Sequence, residues 1–296
     1  MKFLNTWSET QLSDRMKIFL LLLPAMFIIV VLFFGGLAIG LMRSFNYMPV
    51  IGLTDPDFSA YVSVFTDREF YLSFLLTFHI AFTSTVISSI LAIGAALLLR
   101  RSFVGRGIVN FLFQLNLTVP HLVGAIGMLY LFSQSGTFAR LANEFGMIQK
   151  TSDFPALVFD PYAIGIILQY VWKEVPFIGV IVLANMQSIG EDYESVARSL
   201  GASKLQTFRH VLLPLIFPGV LSASVMVFAF TFGAYEIPAI LGANFPAALP
   251  VLAYRKYTDV DLAARPEAMA MAIVIALLSA VMIYFYVRYS RRRIRG

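Results

Sequence analysis

Six long apolar stretches interrupt this sequence, and they constrain the fold more than any other feature. A run of about 20 apolar residues crosses the hydrocarbon core of a bilayer, and within lipid a helix satisfies its own backbone hydrogen bonds. The sequence therefore predicts an all-α, polytopic membrane protein with six transmembrane helices. The predicted spans cover residues 18–42, 71–99, 108–133, 162–186, 215–241 and 267–287.

Composition and missing motifs exclude several other classes. Hydrophobic residues make up 59% of the chain and charged residues 13%, against about 45–50% and 25% in soluble domains. Cysteine is absent, so disulfides and thiolate metal sites are excluded. The sequence contains no H-E-x-x-H, G-x-S-x-G or G-x-x-x-x-G-K-[ST] motif, so we expect no metal site, no catalytic residue and no nucleotide or other cofactor bound by this chain.

The distribution of Lys and Arg predicts the orientation in the membrane. Fourteen of these residues fall in one set of segments, seven fall in the alternate set, and Lys173 lies within a span. Because cytoplasmic loops carry the excess of Lys and Arg, both termini are predicted to be cytoplasmic. Residues 1–17 form one tail. The basic tail 289–296 is explained by an anionic lipid surface, so we expect the bilayer, and no nucleic acid, as its partner.

The predicted cytoplasmic loop 187–214, between spans four and five, has the pattern of two short helices. Gly201 is a helix stop signal, and Ser203 with Gln206 forms a capping box that begins a second helix limited by Pro214. One apolar face is predicted for each helix: Ile189, Tyr193, Val196, Ala197 and Leu200 on the first, and Leu205, Phe208 and Leu212 on the second. These faces pack on the chain's own spans, lie on the bilayer, or enter a groove on a partner protein.

This loop resembles the EAA loop of type I ABC importer permeases, whose pattern is roughly E-A-A-x-x-x-G, nine residues, I-x-L-P. The register here is Ser195-Val196-Ala197, then Gly201, then Val211-Leu212-Leu213-Pro214. The leading Glu falls on Ser195, with Glu194 beside it, which puts in doubt the polar contact that this Glu usually supplies. The segment 198–208 is most similar to the spermidine/putrescine branch. The resemblance implies one membrane domain over residues 1–296, with an added N-terminal helix 18–42 and a five-helix permease core 70–288.

The resemblance also implies partners and a coupling mechanism. A separate ABC ATPase dimer, which binds ATP and Mg, would receive the loop in a groove on each ATPase subunit. The residues implied in coupling are Glu194, Ser195, Val196, Ala197, Leu200, Gly201, Ala202, Phe208 and Pro214. An extracytoplasmic solute-binding protein would deliver the substrate. A second permease, usually a different chain and alternatively a second copy, would complete the pathway in a bacterial cytoplasmic (inner) membrane.

Polar residues within the predicted spans are candidates for the substrate pathway, because ionisable groups are costly at membrane depth. Lys173 and Glu174 lie beside Pro176, which we expect to kink the helix; they form a structural ion pair or line the pathway. Glu236 lines a cavity or lies at the outer mouth. Ring faces of three aromatic residues could hold a cation. The candidates are Asn116, His121, Tyr170, Trp172, Lys173, Glu174, Tyr235 and Glu236.

The resemblance favours a polyamine such as spermidine or putrescine as the substrate, and the acids Glu174 and Glu236 agree with it, whereas Lys173 would suit an anion. The alternatives within this branch are ferric iron, a phosphonate, thiamine and an opine-like solute. Two other classes of protein fit the sequence less well. A secondary transporter is disfavoured because no duplicated halves are visible, and an intramembrane enzyme is disfavoured by the missing catalytic motifs.

Overall fold

A computed structural model describes residues 14–190 and 192–294. Residues 1–13 and 295–296 of the predicted tails, and residue 191 of the loop, lie outside these ranges. The described residues form α-helices and no β-strand. The helices are α1 (Asp14–Ile28), α2 (Gly35–Ser44), α3 (Ser59–Thr66), α4 (Arg68–Leu99), α5 (Arg106–Thr118), α6 (His121–Phe132), α7 (Thr137–Glu144), α8 (Ile164–Ile189), α9 (Asp192–Ser199), α10 (Lys204–Thr207), α11 (Leu213–Gly233), α12 (Glu236–Leu241), α13 (Leu249–Tyr257) and α14 (Arg265–Ile294).

Within the described ranges, six helical segments are long and apolar enough to cross a membrane, which confirms the predicted fold class. They are Met16–Ser44, Arg68–Leu99, His121–Glu144, Ile164–Ile189, Lys204–Gly233 and Leu262–Arg288. In the first segment a π-helical stretch, Ile29–Phe34, joins α1 to α2. None of the most apolar 18-residue window of this segment is buried, against 56% in the fourth. The first segment therefore lies at the periphery, and α8 lies at the centre of the bundle.

A row of small side chains on α4 faces three neighbouring helices. Ser88 donates to Glu174 of α8 and Ala92 packs in one cluster with Ile178 of α8, whereas Thr77 accepts from the N–H of Leu249 on α13 and Ala81 packs with Phe228 of α11. Residues spaced by about four along α4 are all small and fully or almost fully buried: Ser73, Thr77, Ala81, Ser84, Ser88, Ala92 and Ala96. A stripe of small residues lets two membrane helices approach closely and leaves hydroxyl groups free to bond across the interface. Towards the C-terminal end of α4, this contact continues into an apolar cluster that includes Ile178, Val182 and Ile216.

The third predicted span, residues 108–133, is two helices rather than one. Helix α5 ends at Thr118, Val119 is extended with φ −73° and ψ 125°, and α6 begins at His121. The cause lies in the sequence: a proline disfavours the α conformation in the residue before it, and Pro120 follows Val119. The prediction of one continuous helix was wrong, and the break leaves carbonyl groups at membrane depth that need hydrogen-bond donors.

The second helix of the predicted loop does not end at Pro214. Helix α10 continues through a π-helical turn, Phe208–Leu212, into α11, and Leu212 and Leu213 both keep right-handed helical backbone. The wider π-helical turn comes just before the proline, so the proline ring and its missing N–H are accommodated without a break. The segment 187–214 thus contains one separate short helix, α9, and the first turns of the fifth span.

Two groups of contacts match the predicted alternation of the connecting segments. Arg100, after the second span, lies 2.5 Å from Glu194 between spans four and five. On the other side Lys256 lies 3.8 Å from Asp67 and 2.5 Å from Glu267. In both cases, connecting segments that the sequence predicts on the same side of the membrane are in contact.

Candidate coupling elbow and membrane cavity

A bend between α9 and α10, here called the elbow (residues 192–207), is held by a glycine in the left-handed conformation. Gly201 has φ +86°. The N–H of Ala202 donates to the carbonyl of Ala197 at 3.0 Å, and the N–H of Gly201 donates to that of Arg198 at 2.9 Å. These two bonds form a Schellman motif, in which glycine avoids the strain that an L side chain would carry. The sequence prediction of a helix stop at Gly201 is confirmed.

The start of α10 is capped as the sequence predicted. The N–H of Gln206 donates to Ser203 Oγ at 3.3 Å, and the N–H of Ser203 donates to Gln206 Oε1 at 2.8 Å. A reciprocal capping box satisfies two backbone donors that the first turn cannot bond internally. The chain therefore leaves the bend along a fixed direction, and the elbow is stiff on both sides of Gly201.

The apolar side chains of the elbow point away from the rest of the chain. Leu200 is 84% exposed and Leu205 is 73% exposed, and Tyr193 and Val196 are also exposed. Packing on the chain's own spans, one of the sequence alternatives, is therefore excluded for these four residues. Phe208 differs, because it packs inward against the cluster around Leu212. Pro214 and Ser195 are exposed, and Ala197 and Ala202 are half-buried.

Glu194 joins the elbow to the end of α4. Its Oε1 lies 2.5 Å from Nη1 of Arg100, and its Oε2 lies 3.6 Å from Nη2 of Arg198. The side chains of Glu194 and Arg100 are about 15% exposed. Glu194 therefore uses its carboxylate inside the chain, in contact with the end of α4 and with its own helix.

A cavity of about 400 Å³ lies between the third, fourth and fifth spans. It brings together four of the eight residues predicted for a substrate pathway, namely His121, Tyr170, Lys173 and Glu174. The rest of its lining is apolar: Leu117, Phe177, Met226, Val227 and Phe230. The buried Tyr170 hydroxyl has no hydrogen-bond partner within the described part of the chain. A mostly apolar cavity with a few polar groups is the usual form of a small-molecule site.

Lys173 satisfies the end of the broken third span. Its Nζ donates to the carbonyl of Asn116 at 2.6 Å and also to that of Val119, and it lies 3.4 Å from that of Leu117. These carbonyls belong to the last turn of α5 and the residue after it. A cation at a helix C-terminus bonds the free carbonyls and opposes the negative end of the helix dipole. Lys173 therefore compensates the break at Val119.

Asn116, in turn, supplies a hydrogen bond that α8 lacks. Pro176 has no N–H, so the carbonyl four residues earlier, that of Trp172, loses its helical donor. Nδ2 of Asn116 donates to this carbonyl at 2.5 Å. The helix α8 is continuous through Pro176. The break in the third span and the proline in the fourth thus exchange hydrogen bonds.

Glu174 is held by hydroxyl groups and not by Lys173. Ser88 Oγ on α4 donates to Oε2 at 3.0 Å, and Thr231 Oγ1 on α11 donates to Oε1 at 2.7 Å. No ion pair joins Lys173 to Glu174 in the described ranges, so of the two alternatives left open by the sequence, the structure lacks an ion pair between these two residues. The reason is geometric: adjacent residues point about 100° apart on a helix, and each side chain meets a different neighbouring helix.

The other predicted pathway residues lie elsewhere. Trp172 is partly exposed on the outside of α8, and Glu236 is exposed at the first turn of α12. Tyr235 packs against Tyr254 with ring centroids 4.7 Å apart. The three aromatic residues proposed to hold a cation are therefore not brought together, and Tyr170 is the one that lines the cavity.

Sequence reasoning missed two donors to the cavity acid and one partner of the elbow. Ser88 and Thr231 donate hydrogen bonds to Glu174, and Arg100 forms an ion pair with Glu194. A signal for Ser88 was present, because hydroxyl residues recur at helical spacing along α4. Thr231 and Arg100 are 57 and 94 residues from their partners, and no local pattern connects them.

Known relatives match most of the chain. The family described as "Binding-protein-dependent transport system inner membrane component" matches residues 85–296. The trehalose/maltose transport system permease protein MalF of Thermococcus litoralis is 25% identical over 97% of this chain and 99% of that protein. The sulfate transport system permease protein CysT of Salmonella typhimurium is 24% identical over 79% and 82%, and the molybdenum transport system permease protein ModB of Mycobacterium tuberculosis is 27% identical over 81% and 87%.

Solved structures match the fold. A bacterial ABC transporter involved in the import of the acidic polysaccharide alginate aligns with a TM-score of 0.78 at 20% identity, covering 93% of this chain and 95% of that chain. The MetNI methionine ABC transporter in an inward-facing conformation aligns with a TM-score of 0.52 at 18% identity, covering 75% and 93%.

Proposed function

Because the chain belongs to the family of binding-protein-dependent transport system inner membrane components, we propose that its elbow couples substrate movement to a separate ATPase. The chain is a permease subunit of an ABC importer, and not a secondary transporter or a membrane enzyme. It forms half of a substrate pathway. Closure of the ATPase dimer on ATP would move the elbow and, through it, the bundle between inward-open and outward-open states.

The exposed apolar face of the elbow carries this proposal. Tyr193, Val196, Leu200 and Leu205 present apolar side chains outside the bundle, on a bend that the Schellman motif and the capping box hold stiff. A short helix with such a face fits helix-in-groove recognition. A flexible loop would absorb movement, whereas this one transmits it.

The test compares two highly exposed apolar residues, one on the elbow and one in the loop beyond α13. Leu200→Asp places a charge in the proposed contact, and Val260→Asp is the matched control because Val260 is 98% exposed beyond α13. We expect Leu200→Asp to abolish co-purification of the ATPase from membranes and ATP-driven uptake, while Val260→Asp keeps both. Retention of the ATPase by Leu200→Asp would contradict the coupling role.

The remaining partners follow from the same proposal. An extracytoplasmic solute-binding protein would deliver substrate, ATP and Mg would be bound by the ATPase dimer, and a second permease, a different chain or a second copy, would complete the pathway. The structure of the alginate importer in complex with a pentasaccharide-bound periplasmic protein supports this arrangement in a fold of the same kind. The assembly would lie in a bacterial inner membrane.

We place the elbow and both termini on the cytoplasmic side, and the absence of cysteine makes this simple to test. The chain has no native thiol, so Leu200→Cys and Val260→Cys each introduce a single one. A membrane-impermeant maleimide added to intact cells should label Val260→Cys and spare Leu200→Cys until the cells are opened and the ATPase is stripped from the membranes. The reverse pattern would invert the topology.

The cavity between the third, fourth and fifth spans is our candidate for the part of the pathway that this chain contributes. Tyr170 and Glu174 present polar groups among apolar walls, whereas Lys173 is engaged by backbone carbonyls. Glu174→Gln and Tyr170→Phe should lower uptake without loss of ATPase binding. Unchanged transport in both variants would remove the cavity from the pathway.

For the substrate, a polyamine remains our prediction, supported by the segment 198–208 and by Glu174. The relatives named above carry trehalose or maltose, sulfate and molybdenum, so a sugar and an oxyanion are the competitors to test. Uptake of labelled putrescine should be competed by excess spermidine and not by maltose or sulfate. Ferric iron, a phosphonate, thiamine and an opine are further arms of the same assay. Absence of labelled uptake would exclude the polyamine.

A further inference from the structure

A second cavity, of about 620 Å³, lies where the elbow meets the loop between α4 and α5. Its charged lining consists of five cations and one carboxylate: Arg100, Arg101, Arg106, Arg198, Lys204 and Glu194. Glu194 neutralises Arg100 and reaches Arg198. Arg101, Arg106 and Lys204 make no ion pair with any part of the chain that the structure describes. The cavity is therefore built to receive negative charge.

An apolar groove of about 470 Å³ adjoins this basic cavity and shares Arg101 and Ser102 with it. It runs between the end of α4 and the start of α5, and its other lining residues are Ala95, Leu98, Leu99, Phe103, Val109 and Phe113. Leu98 is exposed along this groove although it lies in the last turn of a membrane span. Leu98 and Val109 are both exposed, so the groove opens on the surface of the bundle, and it adjoins the cations at Arg101.

The position of the two cavities fixes their depth in the bilayer. Helix α4 ends at Leu99, and the arginines follow at once, so the boundary between hydrocarbon and headgroups falls where the two cavities join. Phe103 and Val104, at the tip of the loop, are exposed apolar residues at that boundary. Basic pockets between membrane helices at this level bind anionic headgroups, and the apolar groove would receive an acyl chain.

We propose that the basic cavity and the apolar groove together bind one anionic phospholipid, with its phosphate among Arg101, Arg106 and Lys204 and an acyl chain along the groove. A soluble phosphate would use the cations and leave the groove unexplained. An acidic protein segment would equally leave it unexplained. An amphiphile with a negative head uses both.

The site would connect lipid to the elbow. Arg198 and Lys204 belong to the elbow, whereas Arg101 lies in the loop between α4 and α5 and Arg106 is the first residue of α5. A phosphate bridging these two groups would fasten the bend to the membrane-spanning bundle, in parallel with the contact between Glu194 and Arg100. The lipid would thus stiffen the connection through which the elbow moves.

The experiment measures lipid binding to the purified full chain by native mass spectrometry. Phosphatidylglycerol is the anionic probe, phosphatidylcholine the zwitterionic one, and glycerol 3-phosphate the headgroup without a chain. Arg101→Gln and Arg106→Gln remove the phosphate contacts, and Ala95→Leu fills the groove. Arg288→Gln removes one exposed charge at the same side of the membrane and serves as the matched control.

We expect phosphatidylglycerol to bind in preference to phosphatidylcholine, with affinity falling about fivefold for each arginine removed and about 25-fold in the double variant, since one basic residue near the surface contributes at this scale. Ala95→Leu should weaken lipid binding, and Arg288→Gln should not. Equal affinities of both lipids, an unchanged double variant, or glycerol 3-phosphate binding as tightly as the lipid would overturn the proposal. Helical content by circular dichroism verifies that each variant is folded.

Discussion

The exchange of hydrogen bonds between Asn116 and the proline-containing helix can be tested with two substitutions. In the native chain Nδ2 of Asn116 is the donor to the Trp172 carbonyl that Pro176 cannot serve. Oδ1 of Asn116 is buried and has no partner in the described ranges. Asn116→Leu therefore removes one interhelical hydrogen bond while keeping the number and branching of the side-chain heavy atoms, and no other side-chain partner is lost.

The expected loss of stability in Asn116→Leu follows from this geometry. An interhelical hydrogen bond inside a membrane protein contributes about 0.6–1.7 kcal/mol, and an unsatisfied buried carbonyl costs about 1–3 kcal/mol. We expect Asn116→Leu to lower the free energy of unfolding by about 1–2 kcal/mol. Pro176→Ala restores the N–H that the Trp172 carbonyl lacks, so in that background Asn116→Leu should cost nearly nothing.

The assay is a double-mutant cycle on the purified full chain in one detergent, read by thermal unfolding followed by circular dichroism. A change of 1–2 kcal/mol corresponds to about 2–8 °C in Tm for a protein of this approximate size. The coupling between the two substitutions should account for most of the cost of Asn116→Leu. If Asn116→Leu costs the same in both backgrounds, the Trp172 carbonyl is not the reason for Asn116, and the reasoning is refuted.

Three further predictions concern the elbow and the packing beside it. Gly201→Asp should abolish ATP-driven uptake while the chain remains at normal levels in the membrane. An L side chain at φ +86° costs about 1–2 kcal/mol, which destabilises the bend, and retained uptake would contradict this prediction. Glu194→Arg should reduce uptake, and the added change Arg100→Glu should restore part of it, whereas no restoration would show that their 2.5 Å contact has no role. Gly179→Leu should destabilise the chain by about 1–3 kcal/mol because a Cβ there lies 2.7 Å from the Phe113 ring. Phe113→Ala in the same chain should recover stability, and thermal unfolding measures both.

Local chemistry made the elbow predictable from the sequence. A glycine stop followed two residues later by a serine capping box specifies a bend through backbone hydrogen bonds within a few residues, and both were found where expected. The exposed apolar face also followed from spacing along one helix. The contact between the elbow and α4 did not follow from any local pattern, because Glu194 is paired with Arg100, at the end of a different span.

The membrane cavity was predictable in content but not in arrangement. Lys173 and Glu174 stand out as charges within an apolar stretch, and both line the cavity. Their adjacency suggested a pair, yet their partners come from helices distant in the chain: the carbonyls after Leu115 for the lysine, and Ser88 and Thr231 for the acid. Tyr235 and Glu236 are residue types that often line a substrate site, but they lie after the end of α11 and outside the cavity.

The continuous path through Pro214 and the break at Val119 show the two ways in which proline behaves in this bundle. The sequence predicts that Pro214 limits the second helix of the loop, which instead continues through it, whereas Pro120 lies within the predicted span 108–133, which instead breaks. Pro214 follows a π-helical turn that accommodates it. The break before Pro120 instead leaves free carbonyls, and the ammonium group of Lys173 donates hydrogen bonds to them. Which outcome occurs depends on neighbours in space, and these are set by the packing of α8.

The row of small side chains on α4 also fixes the phase of that helix. Each residue turns the helix by about 100°, so inserting or deleting a single residue between Ser73 and Ser88 would rotate one half of the row out of line with the other. Ser88 would then turn away from Glu174, the acid would lose a donor, and bulky neighbours would enter a contact that now holds small side chains. Changes in chain length should therefore be tolerated in the loops at either end of α4 and rejected within it.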